Sequence, residues 1–136
     1  MRSTILILLA AAASACAAYS GVSEPRTAQA EMTLQKSLMG KVAGAPVHCL
    51  QSLRTHDMRI IDDNTILFRD GRRRVYRNDP LGGCRPMGRG GYALVTRSPT
   101  GQMCRGDIVQ VVDLTNKAVA GSCSLGDFVP YQSVTG

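Results

Sequence analysis

The stretch TILFRDGRRRVYR, Thr65 to Arg77, decides the fold. Thr65-Ile66-Leu67-Phe68-Arg69 is rich in the β-branched and aromatic types that suit a pleated, half-buried surface. Asp70-Gly71 supplies the backbone freedom of a tight reversal, and an extended run resumes at Arg72. The segment predicts a β-hairpin with arms at 65–69 and 72–77.

Extended character continues on both sides of it. Upstream, Leu53 to Asp62 mixes polar and apolar residues and ends in Arg59-Ile60-Ile61, with Asp62-Asp63-Asn64 forming the mouth of a turn. Downstream, Tyr92 to Thr96 is expected to turn at Ser98-Pro99-Thr100-Gly101 and form a second hairpin with the run that follows. Asp107 to Leu114 alternates apolar with polar residues, turns at Thr115-Asn116-Lys117 and returns through Ala118 to Cys123. Between these lies Leu81 to Gly91 (LGGCRPMGRGG), a Gly-rich loop that needs pinning, which Cys84 can supply. The pattern is mainly β: a single small antiparallel sheet, or a partly open barrel, of about six strands.

The N-terminal third reads differently. Arg2 precedes the short apolar run Ile5 to Ala13, and small residues follow at Ala13-Ser14-Ala15-Cys16. This is the layout of a secretory signal peptide, too short to span a bilayer comfortably. Ala13-Ser14-Ala15-Cys16 resembles a bacterial lipobox, with alanine at the place where leucine is usual. Cys16 is therefore the candidate lipidation site. Residues 19–28 suit a flexible tether. Ala28 to Met39 holds good helix formers, with Leu34 and Leu38 one turn apart and Gly40 placed to end the helix. Its apolar stripe is narrow, which predicts packing at the edge of the domain. The boundaries are thus 1–15 signal peptide, 16–45 linker with a short helix, and 46–136 β domain.

Five cysteines are an odd number for an oxidising compartment. With Cys16 acylated or removed, Cys49, Cys84, Cys104 and Cys123 remain, enough for two disulfides worth roughly 2–4 kcal/mol each. Three connectivities are open. Such bracing suits a chain of 136 residues whose aromatics are 4% of the total and which has no Trp. None of the four cysteines forms a CxxC pair, which argues against a redox motif and a zinc knuckle.

The formal net charge is +6, carried mostly by arginine, and it favours anionic partners. Arg72, Arg73 and Arg77, with Tyr76 among them, are the candidate anion-binding residues. The plainer reading is a charged strand that resists edge-to-edge aggregation. A nucleic-acid footprint would interleave aromatic stacking residues with the basic ones, and only Tyr76 is close, so no nucleic-acid partner is assigned. Gly88-Arg89-Gly90-Gly91 lacks the Lys-Ser/Thr of a phosphate loop. His48-Cys49 and His56-Asp57 hint at a Cys/His nucleophile or a metal site. A catalytic thiolate does not survive where cysteines are oxidised, and two histidines lack a third spaced ligand. No catalytic residue, metal or cofactor is assigned. Arg105-Gly106-Asp107 reads as a turn.

Five segments resemble one family: Val47-His48-Cys49, Arg59 to Phe68, Val75-Tyr76-Arg77-Asn78, Cys104 to Ile108, and Leu125-Gly126-Asp127-Phe128-Val129-Pro130-Tyr131. They are similar to a family of small exported alphaproteobacterial proteins classed as a domain of unknown function. The resemblance runs from about Gly40 to Tyr131, its closing Gly-Asp-Phe-x-Pro-Tyr being the most specific part. It implies export, one compact domain, and pairing of Cys49 with Cys104 and of Cys84 with Cys123. It implies no activity.

These readings converge on a non-enzymatic cell-envelope lipoprotein with a structural or binding role. Its partners are the membrane, through an acyl anchor on Cys16, and anionic envelope components. It would face the periplasm. Ala17 lacks the aspartate that retains lipoproteins at the inner membrane, so the outer membrane is favoured. The alternative is a soluble periplasmic module that binds an anion or polysaccharide where Arg72, Arg73 and Arg77 line a concave surface with Tyr76. A hydrolase stands third and would need His48, His56 and Asp57 or Asp62 to converge.

Overall fold

The structure, a computed structural model, describes residues 25–51 and 57–134. The expected signal peptide, Cys16 and His56 lie outside the described residues. Among the described residues one α-helix, α1 (Ala28–Leu38), precedes ten strands: β1 (Lys41–Ala43), β2 (Cys49–Gln51), β3 (Asp57–Asp62), β4 (Thr65–Asp70), β5 (Arg74–Asn78), β6 (Tyr92–Thr96), β7 (Gln102–Cys104), β8 (Ile108–Asp113), β9 (Val119–Ser124) and β10 (Phe128–Ser133). The fold is mainly β with a short N-terminal helix, as the residue pattern requires.

All pairings are antiparallel. They form a five-stranded sheet in the order β1-β10-β5-β4-β3, a two-stranded sheet β2-β7 and a three-stranded sheet β6-β8-β9. Three sheets thus replace the single sheet or barrel of about six strands. The added strands include β1 and β2, each only three residues long, too short to show an alternating signature. β1 pairs with β10, so residues 41–43 belong to the domain rather than to a linker ending at 45. β6 pairs with β8 and β7 with β2, so the expected hairpin across Ser98–Gly101 does not form. The 65–77 hairpin does form, with register Asp70↔Arg74. Gly71, at φ +65°, opens a turn that takes in Arg72 and Arg73, and the second arm begins only at Arg74.

β4 is buried at Thr65, Ile66, Leu67 and Phe68 in succession because both faces of its sheet are covered. Ile66 and Phe68 point inward to a core with Leu50, Met87, Met103, Val109, Val111, Leu125 and Phe128. Phe68 meets Phe128 edge to face at 5.7 Å, a pairing worth about 0.5–1.5 kcal/mol beyond its area. Leu67 points outward and, with Ile61 and Val75, packs under Ala30 and Leu34 of α1. The helix therefore covers a face of the sheet rather than its edge. Its start is set by Thr27, whose side chain accepts from the Ala30 N–H, and Gly40 follows in the left-handed region.

The disulfides join Cys49 to Cys104 and Cys84 to Cys123, the pairs the resemblance implies. The first links directly opposed residues of β2 and β7. The second ties the Gly-rich loop to β9. That loop lies close over the β3–β4 turn: the Cys84 N–H donates to the Asp63 carbonyl at 2.6 Å, and the Gly88 N–H to Asp63 Oδ1 at 2.7 Å. A Cβ at Gly88 would come within 2.7 Å of the Asp63 backbone nitrogen, so only glycine allows this approach. Two disulfides mark a protein that folds in an oxidising, exported environment. Among the described residues no helix is long and apolar enough to cross a membrane.

Candidate functional site

Successive residues of a strand point to opposite faces, and β5 divides the candidate anion-binding residues accordingly. Arg74, Tyr76 and Asn78 face the inner side; Val75 and Arg77 face the helix side. Arg72 and Arg73 are exposed in the β4–β5 turn. Tyr76 and Arg77 thus stand on opposite faces, and Arg72, Arg73, Arg77 and Tyr76 do not line one surface.

Arg77 enters a charged network at the start of α1. It donates to Asp79 Oδ1 at 2.9 Å, and Thr65 Oγ1 donates to the same oxygen at 2.9 Å. Arg26 binds Asp62 and also donates to Thr65 Oγ1 at 2.6 Å and to Glu31 at 3.2 Å. Partial burial opposes the charge on Arg77, but the hydrogen bond and attraction to Asp79, helped by Tyr131, outweigh it and raise its pKa. This network joins helix to sheet; its arginines are already engaged.

The residue that joins Tyr76 is Arg74, two positions back on the same face. Its guanidinium carbon lies 6.0 Å from the Tyr76 ring centre, and Nη1 donates to the phenol oxygen at 3.2 Å. That hydrogen bond, with support from Asp70 3.7 Å away, raises the arginine pKa further and keeps it cationic. Across the strand, Gln132 in its satisfied orientation accepts from Arg74 Nε at 3.1 Å. Arg74 and Tyr76 form one wall of a cleft of about 270 Å³, with Asp70, Gln51, Leu50, Cys49 and Val47 around it. The cleft thus combines a half-exposed ring, a fixed cation, a carboxylate and a primary amide over an apolar floor. Such a site can stack a flat, weakly polar ring while hydrogen-bonding its rim. The residue candidates missed Arg74, Asp70 and Gln51. Period-two alternation from Tyr76 would have found Arg74; nothing local points to Gln51, which β2 brings from 25 positions away.

His48 takes part in a different constellation, next to Cys49, which itself lines the Tyr76 cleft. His48 Nδ1 lies 2.7 Å from Asp127 Oδ1, and Arg105 Nη1 donates to Asp127 Oδ2 at 2.9 Å. The Arg105 N–H also donates to the His48 carbonyl at 2.7 Å, and Gly106 N–H to the Leu125 carbonyl at 2.9 Å. Three of the family-like segments, 47–49, 104–107 and 125–128, therefore meet in one place, clamped by the Cys49–Cys104 disulfide. The His48 side chain is 78% exposed and is not among the residues lining the Tyr76 cleft. The carboxylates expected beside it for hydrolysis are engaged elsewhere: Asp57 with Arg69, and Asp62 with Arg26. Cys49 is held in its disulfide and offers no thiolate. Among the described residues no cluster of three His, Cys, Asp or Glu could hold a metal ion. Comparison with known proteins finds no matching family model, no matching curated protein and no matching solved structure.

Proposed function

We propose that this protein is a non-enzymatic binding module of the bacterial cell envelope whose cleft takes an acidic saccharide. The observation that carries this reading is the pairing of the Tyr76 ring with Arg74 in one cleft. A pyranose presents a C–H face that stacks on an aromatic ring, and an acidic sugar adds a carboxylate or phosphate that is attracted to the guanidinium, competing with Asp70 and Gln132 for it. Asp70 and Gln51 supply an acceptor and an amide for ring hydroxyls. The sequence adds the rest of the picture: an acyl anchor on Cys16, the periplasmic side of the envelope, and the outer membrane as the favoured station. From Cys16 to Pro25 the chain can span at most about 30 Å, which would keep the module beside the bilayer.

The test is co-sedimentation of the protein with purified peptidoglycan sacculi, an acidic saccharide polymer. Retention is expected for the unaltered chain, with about tenfold weaker binding for Tyr76→Ala and for Arg74→Ala, and with binding that falls as salt rises. Retention unaffected by Tyr76→Ala, or absent altogether, would refute the cleft as a saccharide site. Mass measurement of the mature N-terminal peptide separately tests the anchor: a diacylated Cys16 is expected, and an unmodified peptide removes it.

A further inference from the structure

On the opposite side of the five-stranded sheet, α1 leaves a second concavity. The helix covers Ile61, Leu67 and Val75, and beside it runs an open groove of about 530 Å³. Met32 and Lys36 line it from the helix, Arg59 from β3 and Arg69 from β4. We propose that this groove seats the phosphate of an anionic lipid headgroup, so that the α1 face is the one the domain lays on a bilayer.

Arg59 and Lys36 each have a plainer explanation when taken singly, and the set does not. Arg59 lies on β3, an edge strand, where charge discourages pairing with a second chain. Lys36 in the last turn of α1 complements the helix dipole. Arg69, however, lies on β4, one strand in from the edge, where edge protection has no role. Met32 is 58% exposed on the same groove and gains nothing from water. Among the described residues the only carboxylate ion-paired here is Asp57, 3.5 Å from Arg69, and Lys36 and Arg59 have no ion pair. Three cations around one methionine match a headgroup layer, where ammonium and guanidinium groups meet phosphate while the thioether and the lysine stem lie against the acyl boundary. The groove also adjoins α1, the first described element after the tether, which is the side an N-terminal anchor would hold nearest the membrane.

The experiment uses the full chain exported as Cys16→Ser, so that no acyl chain contributes to retention. Co-sedimentation is measured with vesicles of phosphatidylethanolamine containing phosphatidylglycerol, and with phosphatidylcholine vesicles. Binding to the first and not the second is expected, weakened about fivefold each by Lys36→Gln and Arg59→Gln. The control, Arg72→Gln with Arg73→Gln in the exposed β4–β5 turn, removes two charges where each groove variant removes one, and should still leave binding within twofold. Thermal melts accompany every protein, and Arg69→Gln supplies the same readout should either groove variant fail to fold. No retention on phosphatidylglycerol, or an equal loss in the turn control, overturns the proposal. The saccharide cleft is untouched by these variants, so retention on sacculi reports on that site independently.

Discussion

Asn78 and Gly126 exchange a reciprocal pair of hydrogen bonds: Asn78 Nδ2 donates to the Gly126 carbonyl at 2.7 Å, and the Gly126 N–H donates to Asn78 Oδ1 at 3.1 Å. The side-chain amide acts as a short length of strand, pairing with backbone that no strand reaches. Asn78 is fully buried and also donates to the Asp127 carbonyl at 3.3 Å, so it positions the residue that binds His48 and Arg105.

Removing that amide leaves buried backbone groups without partners. Asn78→Ala should cost roughly 2–4 kcal/mol, read as a lower urea midpoint at unchanged slope. A loss below about 1 kcal/mol would mean that water takes over both bonds and that the amide is not the clasp.

The two disulfides differ in access. Cys49 is exposed and Cys104 half-buried, whereas Cys84 and Cys123 are both buried. Thiolate attack requires approach to a sulfur, so dilute dithiothreitol should open Cys49–Cys104 first. Timed alkylation followed by peptide mass mapping reads the order; simultaneous opening would show that the domain unfolds as it is reduced. The chain-entropy account puts the loops of 55 and 39 residues at about 4 kcal/mol each. Replacing Cys84 and Cys123 together by alanine should cost that much or more, because the Gly-rich loop loses its covalent hold.

Glu31 provides a pH signature. Its pKa is lowered by the hydrogen bond from Gln35 and by Arg26 at 3.2 Å. A carboxyl depressed in the folded state adds stability that is present above its unfolded pKa and disappears as pH falls through the folded one. The melting temperature of the unaltered protein should therefore exceed that of Glu31→Gln at neutral pH, and the two should converge as pH drops below the ordinary glutamate range. Because the group is exposed, added salt should shrink the difference. A gap that persists in acid would point to packing rather than charge.

How far the residues alone led varies from element to element. The Asp70-Gly71 reversal, the β8–β9 hairpin and α1 were all legible because each is built from neighbours in sequence. The hairpin arm was misplaced by two residues, since Arg72 and Arg73 suit a strand or a turn equally and only the register of β4 against β5 separates them. The second expected hairpin failed for a different reason. Pro99 and Thr100 do form a turn, yet β7 leaves β6 and pairs with β2, where Met103 and Leu50 can both be buried. The candidate site followed the same division. Tyr76 was picked out, while its partners were misassigned because alternation places Arg77 behind the sheet and Arg74 beside the ring.

Oxidised cysteines, a mainly β chain and the helix that precedes its strands all follow from local chemistry: thiol number, side-chain shape and turn residues act within a few positions of one another. The division into three sheets, the meeting of His48 with Asp127, the cleft of Tyr76, Arg74 and Gln51, and the groove of Lys36, Arg59 and Arg69 belong to the tertiary structure alone. Each joins residues far apart along the chain. What selects them is which apolar faces can be buried together, a choice made by the whole core and written in no single segment.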